Sequence, residues 1–167
     1  ELGKKLFTNE RDKSWLRSGG TDLPPALAYG AIGDTVAARE AGNIIGLEAK
    51  ATGLHSTATV LSVPLSLKLK SQLYRSFGDD PIMVAQLGSA FIEGAQESGV
   101  IASGGFFPGG GDIAVDPHFR LGIDRSDKQT HDSIHFVPFR EAIKRGANMI
   151  MTTHFAAPHL TGIDSLP

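Results

Sequence analysis

Asp116 and His118 are separated by a single proline, so a loop at this point could turn a carboxylate and an imidazole toward each other. An imidazole oriented by a carboxylate can donate a proton to a leaving oxygen near neutral pH, because the unperturbed pKa of histidine is about 6.5. The pair is therefore a candidate general acid/base, with Asp116 as the orienting group. The alternative is a pair of surface loop residues without chemistry.

Two histidines four residues apart, His131 and His135, form a second candidate. On a helix they would face the same way, as zinc ligands must, and the segment approaches the metalloprotease signature. Asp132, however, stands where that signature has glutamate, which shortens the base by one methylene. The segment is also predicted to lie on an outer helix. We therefore predict no metal and no other cofactor, and keep a zinc hydrolase as an alternative hypothesis.

The glycine-rich residues 104–111 are a weak candidate for a phosphate-binding loop, because Phe106-Phe107-Pro108 interrupts the glycines and no Lys-Ser/Thr pair follows. The 16 basic and 18 acidic side chains create no strong field for nucleic acid or an anionic membrane. The absence of cysteine excludes disulfides, thiolate catalysis and cysteine-based zinc sites. A small neutral substrate fits this composition best.

Three helices are predicted from N-capping residues followed by apolar residues at helical spacing. Asp34 caps a helix over residues 35–50, and Asp80, with Pro81 at the first helical position, caps one that ends before Gly99. The third helix is predicted to open with a capping box between Ser126 and Gln129, to break around Pro138 and to end at Arg145.

Apolar segments at residues 54–63, 100–103 and 147–153 are predicted strands. They recur at intervals of roughly 45 residues with helices between them, which predicts an α/β fold with a parallel sheet. In such folds, functional side chains collect beyond the carboxyl ends of the strands. The residues predicted at those positions are Ser62 and its followers, the loop from Gly105 to His118, and His154, which is expected to line the pocket.

Several segments, in this order and spacing, resemble the N-terminal domain of glycoside hydrolase family 3, and the resemblance covers nearly the whole chain from about Gly19. They are Gly20-Thr21-Asp22-Leu23-Pro24-Pro25-Ala26, Arg75-Ser76-Phe77-Gly78-Asp79-Asp80-Pro81, Phe107-Pro108-Gly109 with Gly111-Asp112, Val137-Pro138-Phe139-Arg140, and Met149-Ile150-Met151-Thr152-Thr153-His154. Asp116-Pro117-His118 also matches the Asp-x-His element of the β-N-acetylhexosaminidase-like branch.

The resemblance implies a partial (β/α) TIM-type barrel and hydrolysis of O-glycosyl bonds of β-N-acetylglucosamine-type sugars by a retaining mechanism. It also implies that His118 is the general acid/base, that Asp116 orients it and that Arg75 contacts the substrate. Retaining glycosidases need a carboxylate nucleophile as well. In this family that carboxylate lies on a strand later than the one ending at His154, so we expect it outside this chain and do not assign it to Asp164.

Four positions depart from the family pattern. Gly105, Phe106 and Gly110 stand where the family has Lys-His before Phe-Pro-Gly and a histidine after it, and Ser62 replaces a sugar-binding aspartate. A buried sugar hydroxyl without a partner costs about 1 to 3 kcal/mol, so we expect weaker binding of the distal sugar. Ser62 and His154 are kept as candidate substrate-binding residues. The alternative hypothesis is a degenerate, non-catalytic sugar-binding or interaction module that retains the fold.

The chain has 167 residues, whereas a closed eight-stranded barrel takes about 250. We therefore expect residues 1–22 to form an irregular lead-in and residues 23–167 to form a partial barrel, completed by further chain segments or subunits. The expected partner is a small carbohydrate. No membrane contact is expected, because the apolar runs are far shorter than the roughly 18 residues of a span. The sequence leaves the compartment open, whether cytoplasmic or periplasmic or secreted after processing.

Overall fold

The computed structural model describes residues 20–65, 73–111, 113 and 115–163. Most of the predicted lead-in and Asp164 lie outside the described residues. The elements follow one another in the order α1 (Ala26–Ile32), α2 (Thr35–Ala51), β1 (Ser56–Val60), α3 (Pro81–Glu97), β2 (Ile101–Phe107), α4 (Lys128–Thr130), π1 (a π-helical turn, His131–His135), α5 (Phe136–Lys144), β3 (Met149–Thr152) and α6 (Pro158–Thr161).

The three described strands form one sheet in the order β1-β2-β3, and both pairings are parallel. The parallel α/β prediction is thereby confirmed. β2 is longer than predicted and includes Gly104 and Gly105, which were predicted to lie in the loop. A Cβ on Gly105 would lie 3.1 Å from the Thr59 carbonyl oxygen and 3.2 Å from Met151 Cε, so glycine suits this crowded position in the middle strand.

The first two predicted helix starts are confirmed. The Asp34 side chain accepts a hydrogen bond from the backbone N–H of Val36, and the Asp80 side chain accepts from Ile82 and Met83. Such caps satisfy N–H groups that have no partner within the helix.

Helices α2 and α3 pack against each other through glycine. A Cβ on Gly42 would fall 2.0 Å from the Phe91 carbonyl oxygen, and a Cβ on Gly94 would fall 1.9 Å from the Arg39 carbonyl oxygen. The two backbones therefore approach more closely than any residue with a side chain would allow.

The predicted capping box between Ser126 and Gln129 is wrong. The N-cap is Asp127, whose carboxylate accepts from the backbone N–H of Thr130 at 2.7 Å. Ser126 Oγ instead lies 3.3 Å from Nε2 of His135, so its side chain is engaged across the turn.

The interruption predicted near Pro138 takes the form of the π turn. The backbone N–H of Phe136 donates to the carbonyl of His131, five residues back. Pro138 has no N–H with which to bond the Ile134 carbonyl, and it sits in the first turn of α5, where proline is tolerated. The wider turn directs both His131 and His135 into the interior.

The outer strands of this sheet, β1 and β3, each have one described neighbour. On β3, Met149 and Met151 are 41% and 39% exposed. Exposed apolar side chains on an edge strand agree with the expectation of an incomplete barrel. Among the described residues, no helix is long and apolar enough to cross a membrane.

Candidate active site

An open cleft lies at the carboxyl ends of the strands, with about 440 Å³ of space that includes open solvent. Its lining consists of Ser62, Pro64, Phe106, Gly109, Gly110, Gly111, Ile113, Pro117, Thr153 and Phe155. The cleft thus combines residues that follow β1, residues from β2 and the loop after it, and residues that follow β3. The functional residues were predicted at this edge of the sheet.

Asp116 and His118 face each other beside the cleft, on either side of the lining residue Pro117. Oδ1 of Asp116 lies 2.6 Å from Nδ1 of His118 and also accepts a hydrogen bond of 3.0 Å from the His118 backbone N–H. An ionised carboxylate only accepts hydrogen bonds, so Nδ1 carries a proton and Nε2 is left for proton transfer. We call this hydrogen-bonded pair the dyad.

The carboxylate of the dyad is held in its ionised form. Burial desolvates Asp116 and by itself raises its pKa, but the hydrogen bonds from His118 and the positive charges of protonated His118 and His154 outweigh burial. The pKa of Asp116 is consequently lowered from its ordinary value of 3.8. Asp116 therefore presents a negative charge to the imidazole throughout the neutral range.

His154 joins the dyad from the end of β3. Its ring lies edge-to-face with the ring of His118, with centroids 4.8 Å apart and planes inclined at 74°. The imidazole of His118 is therefore bounded on one side by a carboxylate and on another by an aromatic ring, and both limit its rotation. Its neighbours Thr153 and Phe155 line the cleft, and the predicted role of His154 in lining the pocket stays a prediction.

Arg75 and Ser62 approach the same cleft from other directions. The guanidinium carbon of Arg75 lies 5.2 Å from the centroid of the Phe106 ring, a cation–π distance. Phe106 lines the cleft and has a positive φ of 71°, which turns its side chain at the end of β2. Ser62 also lines the cleft and is 6% exposed, and its carbonyl accepts a hydrogen bond of 2.7 Å from Ser76 Oγ.

Gly110 stands where the family pattern has a histidine, and packing explains why no side chain fits there. A Cβ there would lie 2.4 Å from Cε1 of Phe155, and the φ of +61° disfavours any L side chain. Phe155, a buried cleft-lining residue, therefore occupies the space that a side chain at position 110 would need. This wall of the cleft is apolar.

His131 and His135 are fully buried, although they were predicted on an outer helix. The structure brings them together with Asp124, which was not predicted as a site residue. These three form the one group in the described part of the chain that could hold a metal ion. Asp132, considered as the base of a zinc hydrolase, is exposed and pairs with Arg140 instead. The arrangement does not support that hydrolase, because its base points away from the histidines.

Comparisons with known proteins indicate the family. The model of the glycosyl hydrolase family 3 N-terminal domain matches residues 11–166. The chain is 32% identical to a β-N-acetylglucosaminidase/β-glucosidase of Cellulomonas fimi, over 83% of this chain and 25% of that protein. It is 33% identical to a β-hexosaminidase of Nitrosomonas eutropha, over 85% of this chain and 42% of that protein.

A solved structure shares the fold. The glycoside hydrolase family 3 β-N-acetylglucosaminidase of a Paenibacillus species superposes with a TM-score of 0.84 at 35% identity, covering 89% of this chain and 28% of that one. The chain thus spans less than half the length of each of these relatives. With its parallel β/α architecture, this chain belongs to glycoside hydrolase family 3, whose N-terminal domain it matches over most of its length.

Proposed function

We propose that this chain supplies the acid/base part of a glycosidase that hydrolyses β-N-acetylglucosamine-type O-glycosyl bonds with retention. The observation that carries the proposal is the dyad, an imidazole bonded through Nδ1 to an ionised carboxylate at the edge of a cleft. Relatives named β-hexosaminidase and β-N-acetylglucosaminidase support the choice of sugar class.

In the first step, a carboxylate from outside this chain attacks the anomeric carbon while the glycosidic C–O bond breaks. Nε2 of doubly protonated His118 gives its proton to the departing oxygen. The negative charge of Asp116 stabilises this imidazolium before the transfer. In the second step, water attacks the glycosyl-enzyme bond, and Nε2 takes the proton that this water loses. Both steps need the ring held in one orientation, which the bond to Asp116 and the contact with His154 support.

Substrate binding is assigned to Arg75, His154 and Ser62. Arg75 has hydrogen-bond donors suited to sugar hydroxyls and a position over Phe106, while Ser62 offers a shorter polar group where the family has a carboxylate. Phe106 and Phe155 form an apolar side of the cleft. Their rings can pack against the apolar face of a sugar ring, but they offer no hydrogen bond to an additional hydroxyl. We propose weak recognition of the distal sugar for this reason.

We also propose that residues 23–167 form part of a barrel that further segments or subunits complete, with residues 1–22 as a lead-in. The exposed methionines of β3 support this proposal, because they share the face opposite Ile150, which packs on the helices, and the interior of a closed barrel would cover that face. The activity is therefore to be tested on the protein translated from the complete reading frame.

The test compares wild type with His118→Ala on two β-N-acetylglucosaminides, one with a nitrophenol leaving group and one with a sugar leaving group. Loss of a general acid/base is expected to lower kcat/KM by about 10²- to 10⁴-fold for the sugar leaving group. The loss should be smaller for nitrophenol, which departs without protonation. Azide should restore turnover of the nitrophenyl substrate and yield a β-glycosyl azide, because this anion attacks without help from a base.

His159→Ala is the matched control, since His159 is an exposed histidine outside the cleft lining. It should keep wild-type kinetics. Equal losses for both leaving groups without azide rescue would contradict the acid/base role of His118. Calorimetric binding of the sugar with no turnover by the wild type would instead identify a sugar-binding module.

A further inference from the structure

The cluster of Asp124, His131 and His135 shares no residue with the dyad, and all three side chains are 0% exposed. Nε2 of His131 lies 3.7 Å from Oδ2 of Asp124, and one potential ligand atom from each of the three residues lies within 4.8 Å of the others. The rings of His131 and His135 are 5.1 Å apart, between centroids. Three groups that could bind a metal therefore converge on one point inside the protein.

Several polar atoms of this cluster lack a hydrogen-bond partner among the described residues. They are Oδ2 of Asp124 and both ring nitrogens of His131. The other oxygen of Asp124 accepts a bond of 2.9 Å from the backbone N–H of Ser126, so only one side of the carboxylate is satisfied. Burying a polar group without a partner costs about 1 to 3 kcal/mol, and a charged one costs more. Such a cluster is costly unless something else binds it.

An ion pair between His131 and Asp124 does not remove this cost. The 3.7 Å between Nε2 and Oδ2 is longer than a hydrogen bond, and neither atom has another hydrogen-bond partner in the described part of the chain. A metal ion, in contrast, would bind one ring nitrogen of each histidine and the free oxygen of Asp124 at once.

The donor set is compatible with zinc. Two imidazoles and one carboxylate suit Zn²⁺, which binds such nitrogens and oxygens at about 2.0 to 2.2 Å and tolerates a water as fourth ligand. Ligand atoms around a tetrahedral zinc lie roughly 3.4 Å apart, a separation that follows from those bond lengths. The spacing of 3.7 Å to at most 4.8 Å thus needs only a small inward rotation of the rings.

We propose that Asp124, His131 and His135 form a buried structural site for Zn²⁺. Asp124 follows Ile123, which bridges to Ala156 beyond β3, while both histidines belong to the π turn before α5. The site joins these two parts of the chain. The proposal concerns binding and stability, and it does not depend on glycosidase activity.

The ring of His135 also contacts the loop that leads from β2 toward the dyad. A Cβ on Gly109 would lie 2.6 Å from His135 Cβ, and one on Gly111 would lie 3.0 Å from His135 Cε1. Zinc at this site would therefore hold the histidine against the loop whose Gly109 and Gly111 line the cleft. Its role would be to fix the position of this loop.

The test starts with protein stripped of metal by a chelator, reloaded with ZnCl₂, desalted and analysed for metal by mass spectrometry. Wild type should retain about one zinc per chain, and its melting temperature should rise by several degrees relative to the metal-free form. Asp124→Asn and His131→Gln should lose both the retained zinc and the rise in melting temperature. Co²⁺ in place of zinc should produce the visible absorption of a tetrahedral complex.

Two matched variants test whether other histidines are responsible for the retained zinc. His118→Gln removes a histidine of the dyad, His159→Gln removes an exposed one, and both should retain zinc. Wild type without retained zinc would overturn the proposal, as would zinc lost in His118→Gln but kept in His131→Gln. If His131→Gln does not fold by circular dichroism, X-ray absorption of zinc-loaded wild type decides: two imidazoles and a carboxylate support the site, and any other ligand set contradicts it.

Discussion

At the scale of single residues, the dyad depends on a short loop contact rather than on distant packing. Asp116 receives two hydrogen bonds from His118, one from its backbone and one from its ring. The carboxylate therefore orients the ring and at the same time loses affinity for a proton. Burial raises the pKa of Asp116, so the net lowering comes from the hydrogen bonds with His118 and from the positive charges of His118 and His154.

The lowered pKa of Asp116 predicts the direction of a shift in its titration midpoint, which can be measured. The contact of such a carboxylate contributes its full stability at a pH above the ordinary pKa. This stability is lost as the pH falls through the lowered pKa of the folded state. Carbon NMR should place the Asp116 midpoint below 3.8 in the folded wild type. In His118→Ala the midpoint should rise, because the ring bond and the charge are lost while desolvation remains. His159→Ala should leave it unchanged, and an equal midpoint in all three proteins would contradict the contact.

At the scale of elements, helix starts determine where the loops that follow the strands end. α3 has a strong start, since Asp80 accepts hydrogen bonds from two backbone N–H groups and Pro81 occupies the first helical position. The helical segment from α4 to α5 has a more complex start, with Asp127 as the cap of α4 and a π turn before α5. That turn is what brings two histidines to the interior.

Removal of the α3 cap is expected to destabilise the protein without touching the cleft. Asp80→Ala should lower the free energy of unfolding by about 1 kcal/mol, because the backbone N–H groups of Ile82 and Met83 lose their acceptor. Denaturant unfolding measures the change. Asp79→Ala is the control, as this exposed neighbour precedes the cap, and a loss as large as that of Asp80→Ala would argue against capping as the cause.

At the scale of the whole molecule, the outer helices and the sheet hold the cleft in shape. The backbones of α2 and α3 approach each other closely, because Gly42 and Gly94 each face a carbonyl of the other helix. α3 packs in turn against β1, β2 and α5. A change in the spacing of these two helices would therefore reach the strands that carry the site.

Gly94→Ala tests this dependence. Alanine favours a helix over glycine by up to about 1 kcal/mol, but its methyl would lie 1.9 Å from the Arg39 carbonyl oxygen, so the helices must separate. Overpacking of this kind typically costs about 1 to 3 kcal/mol, and we expect a net loss of stability in thermal and denaturant unfolding. Gly20→Ala is the control: its Cβ would have an ordinary contact of 3.6 Å, so stability should change by less than about 0.5 kcal/mol. A stabilised Gly94→Ala would contradict the close packing.

The sequence by itself determined the features that depend on neighbours along the chain. Asp34 and Asp80 act within their own helices, and Asp116 reaches His118 across one residue, so spacing alone was informative. The parallel order of strands followed from the alternation of strands and helices, and the ordered motifs indicated the family. Such contacts need no knowledge of what packs where.

Only the tertiary structure decided the contacts between distant segments. Phe155 occupies the space beside Gly110, and Asp124 meets His131 and His135, because a parallel sheet and a π turn bring together segments far apart in the chain. Neither the width of that turn nor the direction of its side chains is encoded by a local spacing rule. The physical reason is that helical periodicity specifies which residues share a face, whereas packing determines whether that face meets solvent, a carboxylate or a neighbouring loop.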